Sequence, residues 1–167
     1  MSHDFATRSK LTTAGTARNE ALDVGRRVLG IDYGQRRIGL AISDATRTLA
    51  RPLTTLTVTS AADAVDRVAA EATRLCNEED GLAAIIVGVP ARLDGSPTGE
   101  TRDVAEFMAA LTARVSVPVV GGDERLTSRE AESRLAVEER DWRVRKKKLD
   151  AAAAAIILQD YLDQNRL

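Results

Sequence analysis

The stretch from Val28 to Asp44 constrains the fold more than any other part of this chain. An apolar run ends in a carboxylate at Asp32 and turns through Tyr33, Gly34, Gln35 and Arg36. It resumes with Ile38, Leu40 and Ile42 alternating against Gly39, Ala41 and Ser43. Period-two alternation beyond a short turn specifies a strand, a turn and a second strand. Asp32 then stands where the first strand ends, a costly place for a charge unless something positive meets it. The competing reading is that Asp32 starts a turn and bonds local amides.

The remaining elements follow in order. Pro52 to Val58 is rich in β-branched residues and reads as a third strand with Pro52 at its edge or entry, completing an antiparallel meander. Ser60 offers an N-cap to a helix that reaches about Glu79, with Ala61, Val65, Val68, Ala72 and Leu75 at helical spacing. Cys76 falls on that stripe and reads as core. Ala83 to Val89 is apolar on both faces, so it is a central strand, parallel to the first because a helix precedes it. A turn-rich loop leads to a helix with Val104, Phe107, Met108, Leu111 and Val115 on one face, where Phe107 and Met108 read as packing rather than a ligand pocket. Val117 to Val120 is a short fifth strand that runs into Gly121, Gly122, Asp123 and Glu124. Thr127 to Glu130 is a capping box for a further helix. After an irregular charged connection holding Trp142, the last helix spans about Leu149 to Asn165. Its inward positions are Ala154, Ile157 or Leu158, and Tyr161 or Leu162. The expected class is α/β: a five-stranded mixed sheet, an antiparallel meander plus parallel strands, flanked by helices. Residues 1–26 show no period and are expected to be a mobile N-terminal extension to one domain spanning 27–167.

Composition removes most chemistries. The single cysteine, Cys76, excludes an internal disulfide. The single histidine, His3, leaves zinc sites, Cys–His nucleophiles and Ser–His–Asp triads without their parts. With no long apolar run and no secretory signal, the expectation is a cytoplasmic protein with no membrane partner. A net charge of −1 does not advertise a nucleic-acid binder, so that claim has to rest on a local cluster.

The expected sheet first gathers acids along one edge. Strands one, four and five of the expected sheet point the same way, and ligands of open α/β sheets bind along the edge their carboxyl ends share. That edge carries Asp32, the loop with Asp94, and Asp123 with Glu124. Asp150, in the expected first turn of the last helix, is a fourth acid, although an acid there ordinarily just complements the helix dipole. Converging carboxylates without Lys or His partners repel unless cations lie between them, and hard oxygen donors suit Mg²⁺ or Mn²⁺. Two such ions about 4 Å apart can activate a water and stabilise the leaving oxygen of a phosphodiester. The chemistry expected is metal-assisted phosphoryl hydrolysis. It requires Asp32 and Asp150 to share one pocket with no Lys or Arg head group lodged permanently between them.

Arg143, Arg145, Lys146, Lys147 and Lys148 immediately precede Asp150. A charge run is ordinarily a solvated face. Beside Asp150 it is placed to neutralise phosphates flanking the scissile one, giving salt-sensitive, largely sequence-blind binding. Arg36 and Arg37 in the hairpin and Arg125 beside the acid pair extend that track. An aromatic content of 3% argues against a single-strand stacking platform and for a structured or duplex substrate.

Four blocks, Gly30 to Gly39, Val87 to Gly95, Asp123 to Ser128 and Lys148 to Gln159, together resemble the YqgF (RuvX) family of bacterial RNase H-like nucleases. The resemblance covers nearly everything from Arg27 to Leu162. It implies a ribonuclease H fold and a nuclease that matures the 5′ end of pre-16S rRNA in ribosome biogenesis. An older inference makes the family Holliday junction resolvases acting on four-way DNA junctions, which requires a dimer; whether this chain is a monomer or a homodimer stays open. By motif match, Asp32, an acid of the Asp123–Glu124 pair and Asp150 form the catalytic, metal-binding set. Glu124 is favoured for its longer arm, but adjacent strand residues point to opposite faces and the register decides. The extension before Arg27 is longer than is usual in the family. Two other readings are a nucleic-acid-binding factor on a silent nuclease fold and an actin-like ATPase with its phosphate loop at Asp32 to Gly34. The intact acid set argues against the first, and the lack of room for a second domain against the other.

Overall fold

The computed structural model describes residues 25–90, 96–123 and 142–166. Among them the elements run β1 (Arg27–Asp32), β2 (Arg37–Ser43), β3 (Ala50–Thr57), α1 (Ala61–Cys76), β4 (Leu82–Val89), α2 (Gly99–Thr112), β5 (Val119–Asp123) and α3 (Trp142–Gln164). The strands form one sheet in the order β3-β2-β1-β4-β5. β1 to β3 pair antiparallel, while β1, β4 and β5 run parallel. This is the mixed sheet expected from the hydrophobic pattern.

Pleat parity divides the sheet into two faces. Leu29, Ile31, Ile38, Leu40, Ile42, Ile85 and Val87 pack against the buried stripes of α1 and α2, including Val68, Leu75, Val104, Phe107 and Leu111. On the other face Val28, Ala41 and Ile86 meet Ala154, Ile157, Leu158 and Leu162 of α3. Strands buried on both faces must be apolar at every position, which is why β4 reads as a continuous run. Both helices of the first face start on side-chain caps. Ser60 Oγ accepts from the Asp63 amide at 3.0 Å. Thr98 and Thr101 close a reciprocal capping box. The Thr101 hydroxyl also donates to the Pro90 carbonyl at 2.7 Å, tying the start of α2 to the end of β4.

Two expectations are corrected. Pro52 lies inside β3 rather than at its entry, in an edge strand and beside a register shift between Leu40 and Ala41, where the missing N–H costs no central ladder bond. The last helix begins at Trp142, not near Leu149. Nothing between Trp142 and Asp150 breaks a helix, and Arg and Lys are good helix formers, so the basic run belongs to the helix. Asp150 is therefore well past the first turn, and complementing the helix dipole does not account for it. Both Ile157 and Leu158 are buried, at 1% and 0% exposure, because α3 lies across several strands instead of presenting one narrow stripe. The expected capping box at Thr127 lies outside the described residues.

Candidate active site

Gly39 is where α3 comes down on the sheet. A Cβ at position 39 would stand 1.9 Å from the Asp150 carbonyl oxygen and 2.2 Å from its carbon. Gly30 allows a similar approach further along, where a Cβ would meet Leu158 Cβ at 2.7 Å. A glycine inside a strand commonly marks such a close backbone approach. Gly39 is paired directly with Asp32 across the β1–β2 ladder. Opposed residues of an antiparallel pair share a face, with Cβ positions about 4.5–5.5 Å apart. Asp32 and Asp150, remote in sequence, therefore adjoin on the α3 face. On the far side of Gly39, Thr55 continues the same row. Its hydroxyl donates to the Lys147 carbonyl and pins the turn of α3 before Asp150.

The described partner of Asp150 is basic. Arg37 Nε donates to Asp150 Oδ2 at 2.7 Å, with the two side chains 31% and 20% exposed. Arg37 lies two residues from Gly39 along β2 and so on the same face, diagonal to Asp32. Arg37 was expected on a substrate track; the structure puts it on a carboxylate of the candidate site. Among the described residues no group of three or more His, Cys, Asp or Glu side chains is gathered that could hold a metal ion. Asp94, Glu124 and Arg125 lie outside the described residues.

Asp123 takes the other face. It pairs with Val89 at the end of β5. On that parity a Cβ at Gly121 would meet Val89 Cγ2 at 2.9 Å and Met108 Cε at 3.8 Å, whereas one at Gly122 would meet Ile157 of α3 at 3.6 Å. Asp123 thus stands on the α2 side, away from Asp32 and Asp150.

Lys147 and Lys148 are exposed on α3. With Thr54 and Thr55 they line a groove of about 600 Å³ between β3 and the helix, which also passes Ala151 beside Asp150. Arg143, Arg145 and Lys146 occupy the same helical stretch, and Arg36 is exposed in the hairpin turn. The opposite face has the opposite character. Tyr33 stacks on Phe107 with ring centroids 4.5 Å apart, beside a cleft of about 510 Å³ that carries Asp103 and Glu106. Burial, and then the negative charge of Asp103 and Glu106, raises the Tyr33 phenol above its ordinary value. Among the described residues, those two acids make this cleft unfavourable for phosphates. The pairing of Arg37 with Asp150 was missed from sequence, although a glycine facing Asp32 in the hairpin was a readable signal that another backbone approaches there.

The family model described as "RuvX: Holliday junction resolvase" matches residues 26–164. A protein of Chloroflexus aggregans named "Putative pre-16S rRNA nuclease" is 41% identical over 83% of this chain and 94% of its own length. One of the same name from Orientia tsutsugamushi is 34% identical over 86% of this chain and 87% of its own. Among solved structures, Thermus thermophilus RuvC in complex with Holliday junction substrate aligns at 19% identity and a TM-score of 0.48, covering 83% of this chain and 94% of that one.

Proposed function

The chain belongs to the RuvX family, and on that premise we propose that it is a nuclease that hydrolyses phosphodiesters of structured RNA, with the 5′ end of pre-16S rRNA as its substrate and the cytoplasm as its place of action. The observation that carries this reading is the seating of Asp150 on Gly39, the residue paired with Asp32, on the helix whose Lys147, Lys148 and Ala151 line a groove against β3. Two carboxylates adjoining on one face are hard oxygen donors, and that donor set fits Mg²⁺ or Mn²⁺. For the third ligand we assign Glu124 over Asp123. Asp123 stands on the α2 side, away from Asp32 and Asp150, which leaves its sequence neighbour as the acid we assign.

In this reading Asp32, Glu124 and Asp150 are the residues that hold the ion. When bound, the ion supplies Lewis-acid stabilisation of phosphoryl oxygens and an activated water. Lys147 and Lys148 draw the backbone phosphates along the groove, and Arg36, Arg125, Arg143, Arg145 and Lys146 are assigned to the same phosphate-binding role from their place in the sequence. Phosphate contacts of this kind position a substrate without reading its sequence. The absence, among the described residues, of any helix long and apolar enough to cross a membrane is compatible with a substrate in the cytoplasm.

The family's description favours a second substrate, the four-way DNA junction. The test sets a pre-16S rRNA fragment and a synthetic junction side by side, each with Mn²⁺ or with chelator. Cleavage of the RNA alone, lost with chelator and lost in Asp32→Asn while circular dichroism and melting stay unchanged, is the expected result. Paired symmetric nicks in the junction by a dimer would move the assignment to the resolvase. Undiminished cutting by Asp32→Asn, purified free of contaminating nuclease, would refute the site.

A further inference from the structure

We propose that Arg37 is a resident counter-cation of the candidate site, which pairs with Asp150 while no divalent ion is bound and has to give up that bond for the ion to enter. The inference rests on the reading of Asp32 and Asp150 as metal-holding residues. Its ground is a contact that reading alone does not anticipate. Arg37 Nε lies 2.7 Å from Asp150 Oδ2, on the face and in the corner where Asp32 stands opposite Gly39. Two acids on neighbouring positions of one face repel, and the guanidinium from β2 offsets charge at Asp150 with a charge-assisted hydrogen bond. The bond uses Nε alone and both side chains are partly exposed, so it can open without stranding a buried charge.

A divalent ion at the same carboxylates competes with Arg37 for Oδ2 and repels its charge. Arg37 therefore lowers the affinity of the free protein for the ion by roughly the worth of a partly exposed ion pair, about fivefold. If Arg37 instead only oriented Asp150 for the metal, its loss would weaken metal binding. The two roles thus differ in sign.

The test titrates the full-length protein with MnCl₂ by calorimetry, without nucleic acid, in wild type, Arg37→Met, Arg37→Lys and Asp150→Asn. Circular dichroism confirms that each variant is folded. Arg37→Met is expected to bind Mn²⁺ about fivefold more tightly, and Arg37→Lys, which keeps the charge, to stay within about twofold of wild type. Unchanged or weaker binding by Arg37→Met overturns the proposal. So does equal tightening in Arg37→Lys, which would trace the effect to lost packing rather than charge. If Asp150→Asn abolishes uptake while Arg37→Met leaves it unchanged, the metal reading survives and the role of Arg37 alone falls. If neither wild type nor Arg37→Met takes up Mn²⁺, both fall together.

Discussion

Replacing Gly39 with alanine tests the contact on which the site is built. The new methyl would stand 1.9 Å from the Asp150 carbonyl oxygen, short of an ordinary carbon–oxygen contact of about 3.3 Å by roughly 1.4 Å. Both obstructing Asp150 atoms are helix backbone, so no rotamer change relieves the clash. Gly39 is not among the glycines with positive φ, so alanine adds no backbone strain and the cost is steric alone. α3 has to lift, yet it is tethered by Thr55 at the Lys147 carbonyl and by Gln159, which bonds Ala50 N at 2.9 Å and Thr48 O at 3.0 Å. A lift of about 1 Å forfeits a quarter to a half of the dispersion attraction of each contact it opens. Overpacking typically costs about 1–3 kcal/mol, and a backbone obstacle puts this case at the upper end, about 3 kcal/mol. In a domain of this size that lowers Tm by roughly 10 °C. Gly121→Ala is the control, because its nearest obstacle is the Val89 Cγ2 methyl at 2.9 Å, the end of a side chain that can move, and about 1 kcal/mol is expected. Urea unfolding of both variants measures the difference. A Gly39→Ala midpoint no lower than that of Gly121→Ala would refute the seating of α3 on Gly39. Because Asp150 moves with the helix, cleavage should fall further than the folded fraction does.

Gln159→Leu removes the side chain that satisfies Ala50 N and Thr48 O, and should cost about 1–3 kcal/mol in denaturant, with faster hydrogen exchange at the Ala50 amide. Asp44 accepts from the Thr46 hydroxyl and from the Leu49 and Thr48 amides, which hold its carboxyl below the ordinary range. A depressed folded value means the folded state binds fewer protons, so this contribution is present above about pH 4 and is lost as pH falls through the lowered value. Asp44→Asn should accordingly flatten the acid limb of the stability curve, and an unaltered limb would count against the turn. Tyr33 carries the opposite sign: its raised phenol favours the folded state below about pH 10 and gives that contribution up as pH rises through the folded value. Phenolate absorbance in a Tyr161→Phe background should show Tyr33 ionising above the ordinary tyrosine value. Replacing Lys147 and Lys148 together by alanine should weaken binding uniformly across RNA sequences and reduce the salt slope by about one per lost phosphate contact; a loss confined to particular sequences would remove these lysines from the phosphate track.

Periodicity alone determined the elements that local sequence can encode. The alternation about Gly34 specified the β1–β2 hairpin, and the unbroken run at β4 a central strand. Ser60 and the stripe from Val65 to Leu75 specified a capped helix. These follow from side-chain spacing along one element, and each residue's neighbours in sequence suffice to state them. The start of α3 was not legible, because a run of Arg and Lys carries no apolar stripe although it is strongly helix-forming. That Asp150 seats opposite Asp32, that Arg37 bonds Asp150, and that Asp123 faces α2 are matters of tertiary structure. Each depends on which residues of remote elements stand level with one another, and one position of slip along a strand sends every side chain to the other face. The sequence thus determined which acids and bases the chain carries and the order of the elements that hold them. Packing of α3 onto two glycines, a contact between backbones far apart in the chain, decided which of those charges meet.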